Sequence, residues 1–158
     1  MAFQNQARLQ RSECEGILSE EEVGYLALAS DGQPYCVPVS YALIDSRIVI
    51  HCALEGHKLD VIRSNPRCCF TVSRSGDRAR PHQAEGNCDY RFESVVASGR
   101  ATIIEDLEER FSWLQRFKDH FYARLGLDPN ADPVTEAAVA KCACIVIELE
   151  ELSGRRRD

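Results

Sequence analysis

The segment that most constrains the fold is residues 47–72, which has the pattern of a strand, a short helix and a second strand. Residues 47–52 are apolar and rich in β-branched side chains, as in a buried strand. Gly56 interrupts this pattern. Apolar residues at helical spacing follow until Pro66, which disfavours the α region for the residue before it. Residues 67–72 are again typical of a strand. The segment therefore predicts a helix that begins directly after a strand and returns the chain to the sheet.

The predicted start of this helix, at Gly56, His57 and Lys58, has the properties of an anion-binding corner. The first N–H groups of a helix have no intrahelical partner, and the helix dipole places partial positive charge there. Lys58 adds a cationic side chain, and phosphate groups bind at such helix N-termini. A lysine in the first turn of a helix is also common on a solvated surface, so the corner alone does not identify a ligand.

Three separated segments of the sequence resemble the flavin-binding split-barrel family. They are GYLALASDGQPYCVPVSY at 24–41, HCALEGHKLDVIRSNP at 51–66 and ESVVASGRA at 93–101. This family includes pyridoxamine-phosphate oxidase and the nitroimidazole-reductase-type proteins. The resemblance covers roughly residues 19–105 and implies a split barrel with FMN as its cofactor. The match is nearest to the nitroimidazole-reductase-type branch, whose motif spacing is kept at His51, Ala53, Gly56 and Lys58.

The remaining pattern is dominated by hairpins, which fits such a barrel. Asp31-Gly32 is a tight-turn signal between the extended residues 24–30 and 34–44, and further strands are predicted at 90–105 and 142–149. The predicted fold class is mainly β: a six-stranded antiparallel split β-barrel with peripheral helices. We expect one domain over 1–158, with an N-terminal helical segment at 1–22, a polar loop at 73–89, an amphipathic helix at 106–125 and a tail at 153–158.

The resemblance also implies which residues would hold the phosphate end of FMN. In the family pattern, basic residues just after the strand bind the phosphate, and these correspond to His57 and Lys58. The end of the preceding strand lines the ribityl chain and the phosphate, and it corresponds to His51, Cys52 and Ala53.

The flavin ring is expected beside two other strands. The proline-containing strand passes along the ring in the family, and a second strand approaches it from another direction. The implied residues are Pro38, Val39, Ser40 and Tyr41 on the first strand, and Ser94 and Val95 on the second. Because the family's cofactor lies at a dimer interface, the resemblance implies a homodimer with FMN at the interface.

His51 and Tyr41 are the candidate catalytic residues, and the catalytic group itself is not identified by the sequence. A histidine in a strand is often a hydrogen-bonded structural residue. Beside the cofactor turn, however, His51 could donate to the flavin or the substrate, because an ordinary pKa near 6.5 permits proton exchange around neutrality. Tyr41 has the same two interpretations. In flavin enzymes the cofactor carries the redox chemistry, so the protein mainly supplies position and electrostatics.

Charge and hydropathy exclude several classes of partner. The net charge is −6, from 19 basic and 25 acidic residues, which argues against a nucleic-acid or anionic-membrane surface. No window is apolar enough for a bilayer span, and residues 1–10 lack an apolar signal core, so we expect a cytoplasmic protein. The eight cysteines include no C-x-x-C pair, and we predict reduced, packed thiols and no metal site.

The predicted function is an FMN-dependent oxidoreductase that passes electrons from a reduced nicotinamide or another donor to a small acceptor, such as a nitroaromatic compound. Pyridoxamine-phosphate oxidases have a longer C-terminal region and an arginine in the strand that here is YCVPV, which argues against vitamin B6 oxidation. The alternatives are a flavin-binding protein without turnover, a haem protein using His51, His57 or His82, and a barrel that binds a ligand other than flavin.

Overall fold

Eight strands and four helices make up the parts of the chain that the computed structural model describes, residues 6–75 and 91–157. In chain order they are β1 (Ala7–Leu9), α1 (Arg11–Glu20), β2 (Val23–Ser30), β3 (Gln33–Ser40), β4 (Ala42–Ile44), β5 (Arg47–Ala53), α2 (His57–Ser64), β6 (Arg67–Ser75), β7 (Phe92–Ile103), α3 (Leu107–Leu125), α4 (Glu136–Val139) and β8 (Cys142–Arg157). The mainly β class with peripheral helices is confirmed.

The strands form one antiparallel sheet in the order β3-β2-β6-β7-β8-β5-β4, and β1 adds to β8. The sheet curls until β3 contacts β5, which makes a barrel with a split between those two strands. Asp31 and Gly32 have positive φ angles of 52° and 76°, as the predicted tight turn between β2 and β3 requires. Within the described residues, no helix is long and apolar enough to cross a membrane.

β8 lies between two hydrophobic cores and contributes side chains to both. Ala143, Ile145 and Ile147 point into the barrel, whereas Cys144 and Val146 point into a second core beneath α3. Each fully buried aliphatic side chain contributes about 1.5–3 kcal/mol. Because both faces of this strand are buried, its sequence is almost continuously apolar.

A β-bulge bends the two longest strands around the barrel. Ser98 pairs with Glu151 while Gly99 pairs with Leu149, so Glu150 is the additional residue. At this place the two backbones come very close together. A Cβ atom added to Gly99 would lie 2.0 Å from the carbonyl oxygen of Glu148, so the bend requires glycine.

Two helices close opposite ends of the barrel. α1 buries Cys14, Ile17 and Leu18 at the end near Gly154, and α2 buries its apolar face at the end near Ala29. The last carbonyls of α1, those of Ser19 and Glu20, accept hydrogen bonds of 2.9 and 2.8 Å from the Arg124 guanidinium of α3. A cation at this position also stabilises the negative end of the α1 dipole.

A chain of ion pairs connects α1 to the sheet. Glu20, Arg74, Glu93, Arg156 and Glu13 follow one another in contact. Burial works to raise the pKa of the Glu93 carboxyl. The hydrogen bonds from Arg156 and Arg74 outweigh burial, so the pKa lies below its ordinary value. These contacts hold the C-terminal half of β8 against α1.

Three expected boundaries are wrong. The tail predicted at 153–158 is strand through Arg157, because it pairs with both β1 and β7. Of the helical segment predicted at 1–22, residues 1–5 lie outside the described parts, and the rest is helical over Arg11–Glu20, with β1 before it. Of the loop predicted at 73–89, residues 73–75 extend β6 and residues 76–89 lie outside the described parts. The described residues form eight strands instead of six, because the three-residue strands β1 and β4 are too short to show alternation.

Candidate functional site

The helix predicted after β5 begins at His57, as α2, and its start is where the anion-binding corner was predicted. Gly56 has φ 142° and ψ 157°, a conformation open essentially only to glycine, and its carbonyl accepts from the N–H groups of Leu59 and Asp60. The N–H groups of His57 and Lys58 are the ones that a helix start leaves without intrahelical partners. The sharp turn at Gly56 therefore presents two N–H donors and a lysine just beyond the end of β5.

Lys58 lies beside Cys52, the inward-facing residue near the end of β5. Its ammonium group is close enough to act electrostatically on the thiol. Burial raises the pKa of the Cys52 thiol, and the positive charge of Lys58 only partly opposes this effect. Cys52 is therefore a neutral thiol close to the lysine, so these two predicted cofactor residues do come together.

β3 supplies the other side of the corner through an aromatic contact. The rings of Tyr35 on β3 and His57 on α2 pack edge to face, with centroids 4.8 Å apart and planes at 80°. His57 is exposed and Tyr35 is half-buried. The contact joins the edge strand β3 to the start of α2, and Tyr35 was not among the site residues predicted from the sequence.

The backbone of β3 has an edge that no other described strand pairs with. Ser30 and Gln33 flank the two-residue turn and form a hydrogen-bonded pair. Because hydrogen-bonded and non-hydrogen-bonded pairs alternate along β2 and β3 from there, the nitrogen of Pro38 points to the open edge. Proline is tolerated here because no ladder hydrogen bond is lost. The N–H of Ser40 faces the same way, and Val39 turns inward against the barrel core. The edge thus offers carbonyls, the N–H groups of Cys36 and Ser40, and apolar side chains to a ligand.

His51 lies on the outer face of β5, beside α3. Its ring packs edge to face on Phe117 with centroids 4.8 Å apart, and the rest of the side chain is exposed. Partial burial lowers the pKa of His51 below 6.5, so the imidazole is neutral at pH 7. Ala53 is exposed on the same face. The structure agrees with both interpretations of His51, as a structural residue and as a neutral group that can accept or donate one proton.

Tyr41 does not serve as a candidate catalytic group. The side chain is 0% exposed, packs against Phe70, and donates a 2.7 Å hydrogen bond to the carbonyl oxygen of Leu18. Burial raises the pKa of Tyr41 far above its ordinary value. The structural interpretation is therefore the correct one, because a sealed and hydrogen-bonded phenol cannot reach a ligand.

Ser94 and Val95 do not join the corner within one chain. Val95 is 0% exposed in the barrel core, which excludes its side chain from any cofactor contact. Ser94 is on β7, three strand spacings from β3 in the sheet order, or about 14 Å. Ser94 therefore lies apart from the corner within one chain.

This combination of split barrel, helix-start anion corner and open edge strand defines the class of flavin-nucleotide-binding split barrels. The residues fit such a group, because the corner has a cation and N–H donors for phosphate and the β3 edge has backbone groups and apolar side chains for a planar ring. The chain belongs to the pyridoxamine 5'-phosphate oxidase family, whose model matches residues 10–156. The family predicted from the sequence is confirmed.

Individual relatives agree with the family and the fold. An uncharacterized protein of Rhizobium meliloti is 29% identical over 153 residues, which cover 93% of this chain and 92% of that protein. The crystal structure of an FAD-binding protein from Mesorhizobium loti is 30% identical, with a TM-score of 0.70 and coverage of 97% and 99%. A candidate 5-nitroimidazole antibiotic resistance protein from Bacteroides thetaiotaomicron shares the fold, at 20% identity, a TM-score of 0.74 and coverage of 96% and 89%.

Proposed function

We propose that this protein is a flavin-dependent oxidoreductase that transfers electrons to a small acceptor, including a nitroaromatic compound. The observation that carries the proposal is the start of α2, where Lys58 and two N–H groups face the split beside the open edge of β3. When bound, the flavin supplies two-electron chemistry between a reduced nicotinamide or another donor and the acceptor. The resemblance implies FMN, and the Mesorhizobium loti relative is described as binding FAD.

Different residues of the chain would bind the phosphate and the ring of the flavin. Lys58 and the N–H groups of His57 and Lys58 would hold the phosphate that FMN and FAD share, with Cys52 beside the lysine. Pro38 and Ser40 would present the β3 backbone to the ring. His51, neutral at pH 7, is the group that could exchange a proton with a substrate. Vitamin B6 oxidation is not proposed, since no arginine stands in residues 35–39.

Removing the Lys58 ammonium should weaken flavin binding by about 10- to 100-fold, because a charge-assisted hydrogen bond contributes about 1.5–3 kcal/mol. We would titrate Lys58→Ala and wild-type protein with FMN and FAD and follow the visible absorption of the flavin. Arg63→Ala is the matched control, because it removes one charge from the other end of α2. Equal losses in both variants would contradict a specific role for Lys58, and wild-type protein that binds neither flavin would end the proposal.

We also propose a homodimer formed through the outer face of β3, β2, β6 and β7. The pairing register aligns Pro38, Tyr25, Thr71 and Val96 in one row across these strands. Tyr25 and Val96 are 46% and 45% exposed, which makes this face apolar and open. A second copy on this face would bring its own Ser94 toward the β3 edge, as the family pattern requires.

Placing an aspartate in this face should dissociate the homodimer into monomers. Light scattering of wild-type protein should give twice the chain mass of 17.8 kDa, and Val96→Asp should give 17.8 kDa, because a carboxylate would be buried at the interface. Thr102→Asp, at an exposed position farther along β7, should remain dimeric. A wild-type monomer, or an unchanged Val96→Asp dimer, would rule out this interface.

A further inference from the structure

The thiol of Cys36 on β3 differs in its surroundings from the other described cysteines. It is exposed, whereas every other cysteine in the described residues is buried or half-buried. Its neighbours Tyr35 and Val37 pack against the barrel core, so Cys36 points to the opposite, outer face of the sheet. This exception to the packed thiols predicted from the sequence therefore lies on the face through which we propose the homodimer.

A second thiol lies in the same row of this face. Ala27 of β2 pairs with Cys36 on one side and with Cys69 of β6 on the other. Cys69 is half-buried and also points outward, because Phe70 beside it lies in the barrel core. Two strand spacings separate the cysteines, so their Cα atoms are about 10 Å apart. A disulfide needs about 4.4–6.8 Å, which excludes a bond between them within one chain.

A second copy of the chain brings the two thiols together. In a two-fold interface a residue on the axis meets its own copy, and positions at equal distances on either side of the axis meet each other. The most exposed apolar side chains of this face, Val23 at 50% and Tyr25 at 46%, both belong to β2, which favours an axis along β2. β3 of one copy then covers β6 of the other, and Cys36 faces Cys69 of the second copy.

Facing sheets can be joined by a disulfide at this separation. The two sheets of an antibody domain pack about 10 Å apart and are bridged by a conserved disulfide. In the row that contains the two thiols, Cys69 has only the small side chains of Ala27 and Ser98 beside it. Because no large side chain stands in this row, the two sheets can approach each other where the thiols meet.

We propose that Cys36 and Cys69 form a redox-active pair, which hydrogen peroxide joins into disulfides between the two copies of the homodimer. This inference rests on the homodimer put forward with the proposed function. Peroxide converts the exposed Cys36 thiol to a sulfenic acid and releases one water. The Cys69 sulfur of the second copy attacks the Cys36 sulfur, and a second water leaves. The two thiols lose two electrons and two protons, and one peroxide becomes two waters.

The surroundings of the two thiols set the order of these steps. Burial raises the pKa of the Cys69 thiol, and the neighbouring Cys36 adds to this effect. A thiol reacts with peroxide as its thiolate, so the half-buried Cys69 reacts slowly with peroxide itself. Cys36 is exposed on the edge strand, where peroxide can reach it. Cys36 is therefore the thiol that is oxidised first, and Cys69 is the thiol that completes the disulfide.

The test is non-reducing gel electrophoresis of the whole protein after treatment with hydrogen peroxide. Wild-type chains should move from 17.8 kDa to twice that mass, and dithiothreitol should reverse the change. Cys36→Ser and Cys69→Ser should each stay at the mass of one chain. When the two variants are co-expressed, the cross-linked band should return, because a mixed dimer keeps one complete pair. Cys68→Ala removes the neighbouring buried thiol and should cross-link like wild type.

The outcomes separate this inference from the proposals on which it rests. A cross-linked band that persists in either serine variant, or that does not return on co-expression, would overturn the pair. Wild-type protein that is dimeric in light scattering but does not cross-link would also overturn it and leave the homodimer in place. A wild-type monomer would overturn both the pair and the homodimer. The flavin titration of Lys58→Ala tests the flavin site independently of all these results.

Discussion

Gly99→Ala is expected to lower the free energy of unfolding by about 3 kcal/mol or more, and the melting temperature by about 6–12 °C. The added Cβ would lie 2.0 Å from the Glu148 carbonyl oxygen and 3.4 Å from the Ile147 side chain. The obstacle is backbone held by β7–β8 pairing on both sides of the bulge, so no side chain can turn away to relieve the clash. Thermal unfolding followed by circular dichroism measures the change.

Gly16→Ala is the matched control, because it adds the same methyl group to a glycine with nothing within 4 Å of the new atom. Gly16 is inside α1, where alanine is the better helix former by about 0.5–1 kcal/mol. This variant should therefore be slightly more stable than wild type. A Gly99→Ala protein that melts within about 2 °C of Gly16→Ala would show that the strands separate easily at the bulge.

Replacing Arg110 with methionine should cost about 2–4 kcal/mol. Arg110 of α3 is only 7% exposed, and its guanidinium donates to the carbonyls of Ile104, Glu105 and Cys142 at 2.9, 3.3 and 3.4 Å. Methionine would fill much of the space and leave these acceptors unsatisfied. Removing a buried charge is itself favourable. We expect the loss to be larger, because three carbonyls depend on one side chain.

Arg116→Met provides the comparison on the same helix. Arg116 is 38% exposed in its side chain and pairs with Asp45 on the surface, so its loss should cost less than about 1 kcal/mol. Urea unfolding of both variants gives the two free energies. Similar values would mean that the hydrogen bonds of Arg110 are readily replaced by water. A large effect confined to Arg110 would identify it as the residue that fastens α3 to the beginning of β8.

Local sequence patterns were enough to predict the elements whose structure depends on neighbouring residues. The Asp31-Gly32 turn, the strand–helix–strand segment and the helix Leu107–Leu125, with Asp106 accepting from the N–H of Glu109, all follow from turn chemistry, periodicity or capping. β1 and the end of β8 could not be predicted in this way. β1 is a strand because it pairs with the end of β8, almost the whole length of the described chain away, and the end of β8 pairs with β7 as well.

The residues of the candidate site show the same difference between local and long-range determinants. The corner at His57 and Lys58 depends on neighbouring residues, so a sequence motif describes it. The Tyr35–His57 contact depends on how the split brings β3 to α2, and no spacing reveals it. Tyr41 and Val95 were selected by their place in a motif, but burial in the barrel core excludes their side chains. A signal was available for Val95, because inward and outward residues alternate along a strand.

The position of β8 has a consequence for the synthesis of the protein. β8 pairs with β1, β5 and β7 and closes both cores, so neither core can form while residues 142–157 are still inside the ribosome. At 5–20 residues per second, roughly 5–20 s pass between the completion of β5 and that of β8. During that interval the apolar rows of β5 have no partner strand. We therefore expect the nascent chain to depend on chaperones that shield extended apolar segments until translation ends.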